Sequence, residues 1–160
     1  MRISIVAAVS ENGVIGNGLK IPWQAEGEQL FFKALTYGQW LLVGRRTYKT
    51  IAHLKKRKFV VLSKSSKMSQ TKNLLQFTSV DDALQKMEEI TDQLFVVGGG
   101  SLYRQMIDKA DFLHISTIHR RVDGDVFFPK IPKIFKTIFC SKFTSNIDYT
   151  YRIWESRLAR

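Results

Sequence analysis

Glu28 heads a helical repeat in which Phe31, Phe32 and Leu35 follow at i+3, i+4 and i+7, so its carboxyl shares a side with an apolar stripe. Glu26 instead shares a side with Lys33. An acid at the edge of such a stripe has two possible surroundings. It reaches into solvent, or it points into a pocket where loss of water raises its pKa and suits it to a cationic or hydrogen-bond-donating ligand. Spacing alone leaves both open.

Two glycine turns offer a different chemistry. Leu41-Leu42-Val43-Gly44-Arg45-Arg46-Thr47 ends an apolar run with Gly and opens a short helix with two Arg and a Thr. Backbone N–H groups and guanidinium forks there suit a phosphate. Val96-Val97-Gly98-Gly99-Gly100-Ser101-Leu102-Tyr103 makes a second such turn, although Tyr103 stands where the dinucleotide fingerprint G-x-G-x-x-G has its third Gly. Either turn alone also reads as a tight connection. With Leu62-Ser63-Lys64 they make three strand ends of the kind at which open α/β sheets bind ligands. No acid follows them to accept from a ribose 2′-hydroxyl, whereas Arg45, Arg46, Ser63 and Lys64 suit a 2′-phosphate. The pattern favours NADPH over NADH.

The elements that must position these residues follow from apolar patterning. Strand-length runs occur at Ile3 to Val9, Trp40 to Val43, Phe59 to Leu62, Leu94 to Val97, Phe112 to Ile118, Ile134 to Phe143 and Tyr149 to Trp154. Helical stretches lie at Glu26 to Leu35, from Arg46, at Ser79 to Ile90 and at Ser101 to Lys109. The central strands are apolar on both faces, which implies a mainly parallel sheet with helical crossovers. Pro129 and Pro132 punctuate a late connection, and Ser145-Asn146-Ile147-Asp148 separates two runs as a hairpin would. The expected fold is therefore α/β, a mainly parallel mixed sheet flanked by helices on both faces with an antiparallel C-terminal edge hairpin. A chain of 160 residues with no repeat or linker suggests one domain, 1–160.

Composition narrows the function. The one cysteine, Cys140, excludes an internal disulfide framework, fits a cytoplasmic protein and, lying among apolar strand residues, reads as core packing. His114 and His119 are an odd number apart on one strand and leave no metal-ligand set with His53. No G-x-S-x-G elbow accompanies a suitable His, which disfavours nucleophilic hydrolysis. No apolar stretch approaches the ~20 residues that cross a bilayer. The 25 Lys and Arg against 14 Asp and Glu give a net charge of +11, but they fall mostly at the ends of apolar segments and form no basic helix. That distribution favours small anionic ligands over nucleic acid.

Taken in order, Ala7-Ala8-Val9, Gly13-Val14-Ile15-Gly16, Ile21-Pro22-Trp23, Glu28 with Phe32, Val43-Gly44-Arg45-Arg46-Thr47, Arg57-Lys58, Gly98-Gly99-Gly100-Ser101-Leu102-Tyr103 and Asp123-Gly124-Asp125 resemble the dihydrofolate reductase family over essentially the whole chain. Ser10-Glu11-Asn12-Gly13-Val14-Ile15-Gly16, Lys33-Ala34-Leu35-Thr36-Tyr37 and Asn146-Ile147-Asp148-Tyr149-Thr150-Tyr151 look closest to its mobile-element-borne, trimethoprim-insensitive bacterial branch. The resemblance implies NADPH-dependent reduction of 7,8-dihydrofolate, with hydride going to C6 and a proton to N5. It makes Glu28 the acid at the pterin edge, backed by Ser116, and gives Trp23 a nearby water.

It also implies a substrate site of Val6, Ala7, Ile21, Phe32, Ile51, Leu54, Val97 and Tyr103, with Arg57 on the substrate's α-carboxylate. The cofactor would meet Ala8, Ile15, Gly16, Lys20, Gly44, Arg45, Arg46, Thr47, Leu62, Ser63, Lys64, Gly98, Gly99, Gly100, Ser101, Leu102 and Tyr103. Gly98-Gly99 matches the family's cis peptide. Small members are often monomers, with no membrane or nucleic-acid partner. Two departures matter: Thr50-Ile51-Ala52-His53-Leu54 is short and lacks Pro, and Gln29 is polar where many relatives carry Leu. Glu28, Gln29 and the branch resemblance imply reduced sensitivity to trimethoprim among antifolate inhibitors. A pyrimidinone reductase of riboflavin synthesis and a basic nucleic-acid-binding module are the competing readings.

Overall fold

The computed structural model of the chain describes residues 1–65 and 67–159. In chain order the elements are β1 (Arg2–Ser10), β2 (Val14–Gly16), α1 (Gln29–Thr36), β3 (Trp40–Gly44), α2 (Arg45–Ile51), β4 (Lys58–Leu62), β5 (Leu74–Phe77), α3 (Val80–Glu88), β6 (Gln93–Val96), α4 (Gly100–Met106), β7 (Phe112–Ile118), β8 (Val126–Phe127), β9 (Phe135–Phe143) and β10 (Tyr149–Ser156). Eight strands form one sheet in the order β5-β4-β3-β6-β1-β7-β10-β9. The first six are parallel, and β10 and β9 close the edge antiparallel, as the sequence pattern implies.

Alternation along each strand sets the two faces. Ile3, Ile5, Ala7 and Val9 of β1 pack with Ala83 and Met87 of α3 and with Leu102 and Met106 of α4. Val6 joins Leu41, Val43, Phe59, Val61 and Phe95, against which Phe32 and Leu35 of α1 and Tyr48 and Ile51 of α2 pack. Burial on both faces explains why these strands read as continuous apolar runs.

Several details depart from the sequence expectation. The helix expected from Glu26 begins after Glu28, because Gly27 adopts a left-handed φ of +88° that interrupts helical geometry. β5 escaped detection as a four-residue run. Cys140, expected in the core, is exposed on β9, whose outer edge has no neighbouring strand. His119 lies beyond the end of β7, so strand alternation does not govern it; its Nε2 is 2.7 Å from Thr150 Oγ1.

A second, two-stranded ribbon pairs β2 with β8 and holds the segment after β2 beside the carboxyl ends of the parallel strands. Gly18 N–H donates to Asp125 Oδ1 at 2.8 Å, and Asp125 N–H donates to the Gly16 carbonyl at 3.2 Å. The fit requires glycine at 124, where a Cβ would overlap the Val14 side chain and the Gly16 carbonyl. Gly124→Ala should therefore lose about 1–3 kcal/mol of stability in chemical denaturation, and an unchanged midpoint would show that the ribbon yields freely.

Candidate active site

Two adjoining cavities open at the carboxyl ends of the parallel strands. The larger, about 1060 Å³, is lined by Gly44, Arg45, Arg46, Thr47, Leu62, Ser63, Lys64, Gly99, Gly100, Ser101 and Leu102, all expected from sequence. The smaller, about 360 Å³, is lined by Val6, Ala7, Ala8, Ile15, Gly16, Lys20, Ile21, Glu28, Phe32, Ile51, Leu54, Val97, Gly98 and Tyr103, also all expected. Gly18, Leu19, Thr47, Gly99, Gly100 and Val126 border both.

The larger cavity is cationic. Among the described residues, the ion pairs join Lys86 to Glu89, Lys109 to Asp81, His119 to Glu11 and Lys136 to Glu155, so none engages Arg45, Arg46 or Lys64. Arg45 Nη1 donates to Ser65 Oγ at 3.0 Å. The helices opening here, α2 and α4, have only seven residues each, so side-chain cations and hydroxyls carry most of the attraction for an anion. Between them the Gly98–Gly99 peptide is cis. Gly44 N–H donates to the Gly98 carbonyl at 2.8 Å, tying the two turns together.

Glu28 lines the smaller cavity and not the larger one. Its carboxyl faces an apolar wall and hydrogen-bonds Ser116; burial pushes its pKa up, and the Ser116 bond only partly opposes this. The nearby helix N-terminus favours the charged form by only ~0.3–1 kcal/mol, too little to reverse desolvation. Tyr103, fully buried, donates its hydroxyl to the Val6 carbonyl at 2.7 Å. Burial and then the charge of Glu28 push its phenol up.

The chain before Glu28 is fastened to the β9–β10 turn. Asn146 accepts from Glu26 N–H at 2.8 Å and donates to the Gln24 carbonyl at 2.7 Å, while Ser145 Oγ donates to the Glu26 carbonyl at 2.8 Å. Ala25 and Ile147 are buried in one cluster there.

Three expected residues lie elsewhere. Trp23 does not line the smaller cavity; it packs beside the Ala25, Ile118, Ile147 and Tyr149 cluster, whose apolar surface takes up its ring. Arg57 is also outside the lining, its guanidinium donating to the Lys33 and Lys55 carbonyls at 2.7 and 2.8 Å and to Thr36 Oγ1 at 3.2 Å. Ser116 touches the site only through Glu28.

Sequence reading missed, among others, Thr78, Ser79, Asp81, Gln105, Lys109 and Asp125 in the larger cavity, Lys33, Thr50 and His53 in the smaller, and Gly18, Leu19 and Val126 in both. Ser101, Gln105 and Lys109 recur at i, i+4 and i+8, a spacing that could have placed them together.

A family model described as dihydrofolate reductase matches residues 2–157. Dihydrofolate reductase type 15 of Escherichia coli is 53% identical over 155 residues, covering 97% of this chain and 99% of that protein. Dihydrofolate reductase type 6 of Proteus mirabilis is 53% identical over 154 residues, with 96% and 98% covered. A solved dihydrofolate reductase from Enterococcus faecalis, complexed with NADP(H) and RAB-propyl, superposes with a TM-score of 0.87 at 25% identity, covering 97% of this chain and 96% of that one.

The electrostatics of Glu28 can be tested on the protein alone. Because its folded pKa lies above its unfolded value, the carboxyl's contribution to stability is full below about pH 4 and is lost as pH rises through the folded value. Glu28→Gln should therefore gain stability relative to the parent between about pH 4 and 8, and a constant difference would contradict the burial. His114 has the opposite sign: burial lowers its pKa to about 4, so its contribution disappears as pH falls from about 6.5 through that value. His114→Asn should flatten the acid limb of the parent's stability curve.

Proposed function

The chain belongs to the dihydrofolate reductase family, and from that premise we propose that Glu28 organises its NADPH-dependent reduction of 7,8-dihydrofolate to 5,6,7,8-tetrahydrofolate. The observation that carries this assignment is a carboxyl in an apolar cavity, hydrogen-bonded by Ser116 and adjoining a cationic cavity. A carboxylate there pairs with adjacent donors on the pterin edge and stabilises the cation that develops as N5 takes a proton from water. Val6, Ala7, Ile21, Phe32, Ile51, Leu54, Val97 and Tyr103 enclose the rings and exclude water from them. Trp23, packed against the cluster of Ala25, Ile118, Ile147 and Tyr149, steadies the segment between Ile21 and Glu28 rather than lining the ring pocket.

The larger cavity has the donor set an anionic dinucleotide needs. Arg45, Arg46, Ser63 and Lys64 hold the 2′-phosphate side, while Thr47 and residues Gly98 to Leu102 line the pyrophosphate side, with Ala8, Ile15, Gly16 and Lys20 near the nicotinamide. When bound, NADPH supplies the hydride received at C6.

Arg57 serves the substrate's α-carboxylate from the rim. Three of its five N–H groups are committed to Lys33, Lys55 and Thr36. One N–H on each terminal nitrogen remains for a carboxylate, a pre-set fork that Lys cannot reproduce.

Gln29 lines the ring cavity beside Glu28, which supports reduced binding of trimethoprim with retained turnover. A single domain fits this reading, because one sheet takes strands from β1 through β10. A cytoplasmic monomer fits as well: no helix of the described residues is long and apolar enough to cross a membrane, and a charge of +11 opposes self-association.

Absorbance at 340 nm with NADPH and dihydrofolate tests the reading. Glu28→Gln should lose about 100-fold or more in turnover near neutral pH, and equal rates in parent and variant would refute the assignment. Arg57→Lys should raise KM about 10-fold or more with kcat nearly kept; a fall in kcat alone would remove Arg57 from substrate binding. Trimethoprim inhibition as tight as in ordinary chromosomal bacterial enzymes would refute the Gln29 inference.

A further inference from the structure

Tyr151, which is buried, and His114, which is half-buried, line neither cavity. We propose that Tyr151 is, through its ring, a positioning residue for Glu28, bracing the first turn of α1 by stacking on Phe31. The proposal rests on Glu28 being the acid of the reaction.

The geometry is continuous from strand to carboxyl. Tyr151 stacks on Phe31 with ring centroids 4.3 Å apart and an interplanar angle of 13°. Phe31 also meets Phe143 edge-on at 5.3 Å and Tyr149 at 6.3 Å. Phe31 N–H donates to the Glu28 carbonyl at 3.1 Å, so the braced residue closes the turn that Glu28 opens. Tyr151 lies opposite Ser116 in the β7–β10 register. One strand pair therefore supplies both the hydroxyl that bonds the Glu28 carboxyl and the ring that fixes its backbone.

The brace is needed because α1 is lightly held. It has eight residues, its only buried residue is Thr36, and Glu28 makes no side-chain cap at its start. Phe32 borders the ring cavity, so solid packing at the first turn comes from Phe31. An aromatic pair of this kind contributes about 0.5–1.5 kcal/mol beyond burial and, more to the point here, a preferred geometry.

His114 meets the far end of the Tyr151 ring. Its Nδ1 lies 2.6 Å from the Tyr151 hydroxyl. Burial lowers the His114 pKa to about 4 and pushes the Tyr151 phenol up to about 12, so both are neutral around pH 7. The ionisable groups facing the stack are Glu28 at the N-terminal end of α1, His114 from β7 and Tyr149 from β10, whose phenol is pushed up by burial and then by Glu28. The brace therefore carries no charge of its own near neutral pH.

The test compares Tyr151→Leu with Tyr151→Phe in single-turnover reduction from about pH 5 to 9. Tyr151→Leu should slow the step about 10- to 100-fold and move the alkaline limb to lower pH, as water reaches Glu28, with substrate and NADPH binding changed much less. Tyr151→Phe, which keeps the ring, should stay within about threefold of the parent with its limb in place. Phe31→Leu serves as the second route to the same loss if Tyr151→Leu does not fold.

A readout without turnover separates this proposal from the assignment of function. The stability that Glu28→Gln gains between about pH 4 and 8 should shrink in the Tyr151→Leu background and persist with Tyr151→Phe. A folded Tyr151→Leu with both the pH limb and that gain unchanged overturns the proposal. Parent protein that fails to reduce dihydrofolate overturns the function, while the stability comparison still decides whether Tyr151 braces Glu28.

Discussion

Removing a carboxyl group from water costs more than one hydroxyl and a helix terminus return, and the arrangement around Glu28 preserves that imbalance. The side chain starts a helix at the rim of an apolar cavity, with Ser116 as its hydrogen-bond partner and its pKa raised by burial. Much of the nearby structure serves this placement. Gly27 turns the chain so that the helix begins after Glu28, Asn146 fastens residues 24 and 26, and the aromatic groups of β9 and β10 support Phe31. A more polar cavity would let the carboxyl ionise as an ordinary surface acid does.

The second constraint is charge. The larger cavity gathers Arg45, Arg46 and Lys64 at strand ends, and the short helices beside them add little dipole. The cavity that holds Glu28 and the one that gathers these cations are thus neighbouring but distinct environments, one apolar and one cationic, joined across Gly18, Leu19, Thr47, Gly99, Gly100 and Val126. The +11 charge of the chain is only partly used there. Lys55, Lys56, Lys130 and Lys133 form no ion pair among the described residues and contribute a general field that attracts anions.

The glycine turns were legible because three physical signals coincide in each: an apolar run apolar on both faces, a break at Gly, and polar or cationic residues immediately after it. Glu28 was legible as a candidate but not as buried, since the same spacing suits an exposed acid; ordered family motifs supplied the difference. The β2–β8 ribbon was not legible, as strands of three and two residues carry no period. Cys140 misled for a related reason: an apolar run does not report whether its strand is central or at an edge. Nor does sequence spacing reveal that the guanidinium of Arg57 is anchored by the backbone of α1, or that Tyr151 reaches Phe31 across the sheet.

The central claim is that burial holds the Glu28 carboxyl above the ordinary carboxylate range before any ligand arrives. Carbon-13 NMR of glutamate carboxyl groups in the unliganded protein, assigned by the signal missing from Glu28→Gln, reads it directly as pH is varied. The account predicts a titration midpoint for Glu28 clearly above the ~4.3 of an exposed glutamate. A midpoint at or below that value would contradict it.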